Sequence, residues 1–403
     1  MKIKIITVLV IFSLAMVNFS CSQKSRLKAL IVTGQNNHNW ERSSIALKSI
    51  LEKSGLFTAT MSISPKKGED MSKYIIDFKP YDVVILDYNG DAWPVETRNN
   101  FVTYVQNGGG VVVYHAADNA FANWPEFNEI IGIGWRSNEK AGPYVYIKDG
   151  EVIRDNSPGR GGSHGSQHEF LVQAYKPDHP ILKGLPEKWL QAKDELYSEL
   201  RGPAKNLEVL AYTHADTAFR GTGKNEPVLM TITYGKGRVF HTILGHTWKD
   251  RLFFPPVESA GFVTTLQRGA EWAATGKVTQ KVPATFPTET QSLQWEFFED
   301  IYSDISPIVK RMKDYEIGKS NDCFNILKKL MAENIDNQEK LNDYHQIIRQ
   351  LLKSRKSTIE CKKILCKEFS WIADDSYREI YGKLKQNPEL ADEAQYALDI
   401  MGN

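Results

Sequence analysis

From Leu27 onward the apolar residues fall into short unbroken runs separated by stretches with helical spacing. The run from Lys28 to Thr33, closed by Gly34, predicts a strand buried on both faces, because an apolar run without alternation leaves no face for water. Ile45 to Leu51 repeats at helical intervals and stops at Lys53, Ser54 and Gly55, a C-terminal signal. Tyr81 to Leu86 predicts a second buried strand. Glu96 to Gln106 then predicts a helix with Phe101, Val102 and Val105 on one face, ended by the glycines at Gly108 to Gly110. Val111 to Tyr114 is a third strand, followed much later by Leu207 to Ala211, Pro227 to Thr233 and Arg238 to Leu244. The last two are joined as a hairpin through Gly235, Lys236 and Gly237, and Phe262 to Ala274 closes the series as a helix. This alternation predicts an α/β fold with a doubly wound, mostly parallel sheet of flavodoxin-like type and helices on both faces.

The pattern then changes. Pro283, Pro287 and several threonines mark residues 279–291 as a linker. Beyond it only helical spacing remains: Leu293, Phe297 and Ile301, then Phe324, Leu327 and Leu330, then Tyr344, Ile347, Ile348 and Leu351. A last helix is led in by Pro388 and carries Ala394, Ala397 and Leu398. The chain therefore divides into an α/β domain over residues 26–278 and a smaller all-α domain over residues 292–403. Its short paired helices suit either HEAT-like repeats or a plain bundle, and it is expected to present a surface to a protein partner.

Charge narrows the function. In 403 residues, 50 Lys and Arg face 49 Asp and Glu, and no long basic run occurs, which argues against nucleic acid as a partner. The N-terminus is a different case. Lys2 and Lys4 precede an apolar run from Ile5 to Val17, followed by Ser20 and Cys21, the layout of an export signal over residues 1–21. Cys21 stands where a bacterial lipoprotein carries its lipid, with Ser22 to Ser25 as a polar tether; an ordinary signal peptide cleaved nearby is the alternative. The expected location is the cell envelope, periplasmic or outer-membrane, anchored to the membrane by lipid. Cys323, Cys361 and Cys366 lack metal-site spacing, and a disulfide through Cys323 stays open.

Eight of the nine histidines lie between residues 38 and 246. Three fall at strand ends: His38 after the first strand, His115 after the third and His246 after Leu244, with Asp87 ending the second. Open α/β sheets bind ligands outside those carboxyl ends. Imidazole titrates near neutrality, so this rim suits proton transfer or a divalent metal such as zinc. His164 and His168, four apart in a glycine-rich stretch, join His115 and His246 as candidate metal or pocket residues. Trp40, Trp93 and Trp124, with Trp135 and Trp248 nearby, offer aromatic faces to a sugar-like small molecule. Arg136 and Arg201 are candidates for gripping an anionic group, while His179, His214, His241 and His345 read as structural.

Several segments occur together in one order. They are Val112 to Phe121 with His115 and Asp118, Asn123 to Phe127, Glu129 to Gly132, Asp178 to Pro186, Asp194 to Tyr197, and Gly237 to Thr247. In this arrangement the chain resembles the ThuA-like (trehalose utilisation) family over about residues 27–275. That resemblance implies a class I glutamine amidotransferase-like fold, in which a cysteine nucleophile occupies a strand-to-helix elbow. His115 takes the elbow position here, and residues 22–322 contain no cysteine, so the thiolate for glutamine hydrolysis is missing. The resemblance further implies a role in the use of disaccharides or keto-sugar derivatives. His115 and His246 are then the expected proton-transfer or metal-holding pair, oriented by Asp118 and Glu195, with His38, His164 and His168 completing the pocket. Isomerisation, elimination and hydrolysis are the expected reaction types. A glycan-binding or scaffold lipoprotein without turnover is the alternative.

Overall fold

The computed structural model describes residues 25–136, 141–249, 254–295 and 307–402. The segment expected as an export signal, with Cys21, and also Phe297 and Ile301, lie outside these residues.

The strands are β1 (Leu27–Thr33), β2 (Phe57–Ile63), β3 (Val83–Leu86), β4 (Gly110–Tyr114), β5 (Tyr144–Lys148), β6 (Glu151–Asp155) and β7 (Ser163–His164). They continue as β8 (His168–Ala174), β9 (Lys188–Asp194), β10 (Tyr197–Ser198), β11 (Leu207–His214), β12 (Asn225–Tyr234) and β13 (Gly237–Thr242). One sheet runs β2-β1-β3-β4-β13-β12-β11-β8-β9, with β5 and β6 branching from β12. Its first half, β2 to β13, is parallel. From β13 outward every pairing is antiparallel. The short strands β7 and β10 pair separately, placing Tyr197 opposite His164.

The two halves differ because their sequences do. All of β3 and β4 is buried, since helices cover both faces of the parallel half. α1 (Trp40–Lys53) and the later helix α5 (Ala260–Thr275) pack on one face; α2 (Val95–Gln106) and α3 (Pro125–Ile131) pack on the other; α4 (Pro255–Glu258) is a single turn against β9. In β8 buried positions are interspersed with half-exposed ones, the pattern of a sheet that meets water on one side. The α/β expectation holds, and the antiparallel meander from residue 144 to 200 is what hydrophobic patterning did not announce.

The stretch expected as a linker packs along the α/β domain. Thr288 accepts the Leu190 N–H at 2.7 Å, and Phe286 lies edge-on to the buried Trp189 at 5.7 Å; just beyond, Leu293, expected to begin helical spacing, is instead in extended chain and accepts the Ala260 N–H at 2.8 Å. Proline and threonine prevent regular structure there without preventing docking. Residues 307–402 are all-helical: α6 (Pro307–Lys313), α7 (Asp322–Glu333), α8 (Gln338–Lys353), α9 (Ile359–Glu368), α10 (Arg378–Leu384) and α11 (Ala391–Gly402). Asn337 and Thr358 cap α8 and α9 by accepting the N–H groups of Lys340 and Cys361. Cys323, Cys361 and Cys366 are free thiols buried in this helical core; burial pushes the Cys366 thiol up to about 12. Among the described residues no helix is long and apolar enough to cross a membrane.

Candidate functional site

Three turns at the carboxyl edge of the parallel half aim their imidazoles at one point. After β1, Gly34 turns the chain at φ 116° and Asn36 accepts the His38 N–H at 3.1 Å. After β4, His115 itself adopts φ 43°, a left-handed conformation that costs a side-chain-bearing residue strain and persists only where the surroundings impose it. The constraint is visible: His115 Nδ1 donates to the Ile243 carbonyl at 2.5 Å, and its ring stacks on Tyr197 at 4.4 Å. After β13, Gly245 at φ 98° presents His246. Asp194, ending β9, accepts the N–H groups of Glu195, Gly245 and His246 at 2.8, 2.9 and 3.1 Å, and so ties the antiparallel half to that turn.

Glu195 is the hub. Its Oε2 lies 2.9 Å from His246 Nδ1, 3.7 Å from His38 Nε2 and 3.8 Å from His115 Nε2. Its Oε1 accepts from Gln167 Nε2 at 2.9 Å and lies 3.4 Å from His164 Nδ1. His38 and His246 meet edge to face at 4.5 Å between ring centres, and His38 and His115 at 4.9 Å. Burial drives His115 well below the usual imidazole range, with His38 and His246 adding to the effect, and burial also lowers His246. For Glu195 burial acts to raise the pKa, but the hydrogen bond from His246, the approach of His38 and the charges of His246 and His115 outweigh it and hold the carboxyl below its ordinary range. The arrangement is one anchored carboxylate among four imidazoles, two of which, His115 and His246, burial shifts toward the neutral form. His115 Nε2 faces this cluster with no hydrogen-bond partner.

Above the cluster opens a pocket of about 470 Å³ lined by Asn37, His38, Asn119, Ala122, Trp135, His164, Glu195 and Tyr197. Trp135 meets Tyr197 edge-on at 5.3 Å. Gly162, at φ 147°, lies so close that a Cβ there would stand 2.5 Å from the Trp135 ring, so the strap carrying His164 needs glycine.

The sequence profile of the trehalose-utilisation family, ThuA, matches residues 28–273. The chain belongs to the ThuA family. A ThuA-like protein of known structure from Parabacteroides merdae is 53% identical, covering 67% of this chain and 98% of its own, with a TM-score of 0.66. Another, from Bacteroides uniformis, is 22% identical over 64% of this chain and 94% of its own, at a TM-score of 0.42. No curated protein matches the chain.

Within this ThuA domain His38, His115, His164, His246 and Glu195 come together, and other expected residues do not. Trp93 is a core residue, enclosed by Phe78, Tyr88, Phe101 and Phe121. Trp124 is enclosed too, stacked on Phe127 with Arg98 over its ring. Trp40, half-buried at the start of α1, is outside the pocket lining. Asp87 accepts from Ser43, Thr33 and Asn36 beneath the β1 turn. Asp118 faces His241 at 3.5 Å, both fully buried, and accepts the Trp135 N–H, so its carboxylate is spent away from His115 and His246. Arg201 spends its guanidinium on the carbonyls of Arg160, Gly142 and Ser157, and Arg136 on Asn128 and the Asp118 carbonyl. His168 stacks on Phe219 at 3.8 Å, away from the cluster. Sequence reasoning passed over Asn37, Asn119, Gln167 and Asp194 as site residues. Of these only Asp194 carried a signal, as half of the acidic pair that opens the Asp194 to Tyr197 family segment.

Proposed function

We propose that this ThuA domain acts on a sugar derivative, a disaccharide or keto-glycoside, by imidazole-based acid–base chemistry. The observation that carries this reading is a buried carboxylate, Glu195, within 2.9–3.8 Å of four imidazoles from four separate segments at the floor of a polar pocket. The amides of Asn37 and Asn119 match sugar hydroxyls, and the rings of Trp135 and Tyr197 match the apolar face of a pyranose. Family membership supports the carbohydrate class.

The proton carrier in this reading is His164. Its side chain is 41% exposed, against 1% for His115 and 7% for His246. Its Nδ1–H donates to the Gly165 carbonyl at 2.9 Å, which leaves Nε2 with the lone pair that accepts a proton. Proton transfer beside a sugar carbonyl, or to a glycosidic oxygen, covers isomerisation, elimination and hydrolysis alike. General acid–base groups contribute roughly 10²–10⁴-fold. Incubating the protein with disaccharides and keto-glycosides tests this: turnover by the native chain should fall by about that factor in His164→Ala and in His115→Ala. Full turnover in both variants contradicts the assignment. A ligand-induced rise in melting temperature with no product would replace it with a glycan-binding role.

We also place the domain in the cell envelope, tethered by a lipid on Cys21. Radiolabelled fatty acid should enter the native chain and not Cys21→Ser; equal labelling of both removes the anchor.

A further inference from the structure

We propose that His38, His115, His246 and Glu195 form a four-ligand site for a divalent transition metal ion, zinc by the preference of a nitrogen-rich set. The inference rests on the site described above and deepens it, without requiring a sugar as the substrate. One ligand atom from each residue can be chosen so that all four lie within 4.8 Å of one another. Around zinc, with bonds near 2.0–2.1 Å, tetrahedral ligand atoms stand about 3.4 Å apart, so the measured separations of 2.9, 3.7 and 3.8 Å to Glu195 Oε2 bracket the required spacing.

Two of the three imidazoles, and Glu195, carry hydrogen bonds behind these atoms of the kind that metal ligands have. A ligating imidazole donates its second nitrogen to a carbonyl or carboxamide oxygen, which fixes the tautomer and turns the lone pair inward. His115 does this through Nδ1 to the Ile243 carbonyl, and His38 contacts the Asn36 carboxamide oxygen at 3.4 Å. Glu195 is oriented likewise, with Oε1 held by Gln167 and Oε2 turned to the histidines.

An alternative is a closed network in which the imidazoles and Glu195 satisfy one another. His115 speaks against it. Its residue is 1% exposed, its Nδ1–H is committed to Ile243, and its Nε2 faces the other ligands with no hydrogen-bond partner. A buried lone pair without a donor is costly, and a strained elbow at φ 43° holds it in place. A cation supplies the missing partner. His168 and Asp118 stand outside this set, and His164 sits on the pocket side as a neighbour of Glu195, not as a ligand.

The test is metal analysis of the full chain, purified without chelator, then stripped and reloaded with zinc or cobalt. The expected result is one ion per chain, a rise in melting temperature on reloading, and the intense visible bands of low-coordinate cobalt. Removing an outer-shell partner of a metal ligand weakens binding 10–100-fold, so His115→Ala and His246→Ala should lose more than 100-fold. The distant His179→Ala and His214→Ala should lose nothing. Circular dichroism identifies any variant that fails to fold, and in that case Glu195→Gln, which keeps shape and polarity, carries the test with a loss of at least 10-fold. A stripped chain that takes up no stoichiometric zinc or cobalt, or ligand variants that bind as the native chain does, would overturn the proposal. Full sugar turnover by a chain that takes up no zinc or cobalt would overturn it while leaving the proposed function intact. A stoichiometric metal in a chain that turns over no sugar derivative would uphold it and remove that function.

Discussion

In the parallel half of the sheet, β1, β4 and β13 end at one edge and deliver His38, His115 and His246 to it. In the antiparallel half, the end of β9 delivers Glu195, and the β7–β10 pair delivers His164 and Tyr197. The first contribution follows from topology, because parallel strands share a direction and therefore a carboxyl edge. The second depends on a meander and a strap folding over that edge. The β12–β13 ladder joins the halves as one sheet, and at the site itself Asp194 and Glu195 tie the two contributions together.

Asp194 gives the largest expected effect on that junction. It accepts three backbone N–H groups, two of them from the turn that presents His246, and the Gln191 side chain as well. Asp194→Ala leaves these buried donors unpaired and should cost on the order of 3–5 kcal/mol of stability by chemical denaturation. A loss below about 1 kcal/mol would mean the halves hold together without it.

A second effect, smaller when read per pH unit, separates the halves by pH. Each buries a carboxyl that burial pushes up: Asp87 in the parallel half to about 8, and Glu226 in the antiparallel half to about 7. Asp87 is hydrogen-bonded to Ser43, Thr33 and Asn36; Glu226 accepts from Tyr144, Thr222 and the Glu199 N–H. For both, the folded pKa lies above the unfolded value, 3.8 for Asp87 and 4.5 for Glu226, so the folded state favours the protonated acid. Their stabilisation is complete below those unfolded values and declines as pH rises toward 8, at up to about 1.4 kcal/mol per pH unit per group. Asp87→Asn should flatten the decline up to pH 8, and Glu226→Gln only up to about 7. Unchanged pH profiles in both variants would contradict this account.

The same division explains what was legible in the sequence. Val111 to Tyr114 reads as a strand because helices cover both its faces, and the strand's direction then places His115 on the rim. β8 and β9 mix buried and exposed positions too irregularly to announce a strand, so the position of Glu195 beneath the histidines could be named only through the family motif. Trp93 and Trp124 misled because a tryptophan beside a polar loop looks alike in sequence whether it faces a ligand or an aromatic core; packing decides, and here the core is dense. Asp118 misled for a related reason. It follows His115 by three residues, but the short 3₁₀ turn directs it to His241 beneath the pocket.

The central claim is that imidazoles of the parallel half and the carboxylate of the antiparallel half act as one unit. A double-mutant cycle on turnover of a sugar derivative tests it most directly, using His246→Ala, Glu195→Ala and the pair. The account predicts gross non-additivity, with the double variant no slower than the slower single variant. Multiplicative losses would contradict it, because they would mean that the two halves contribute independently.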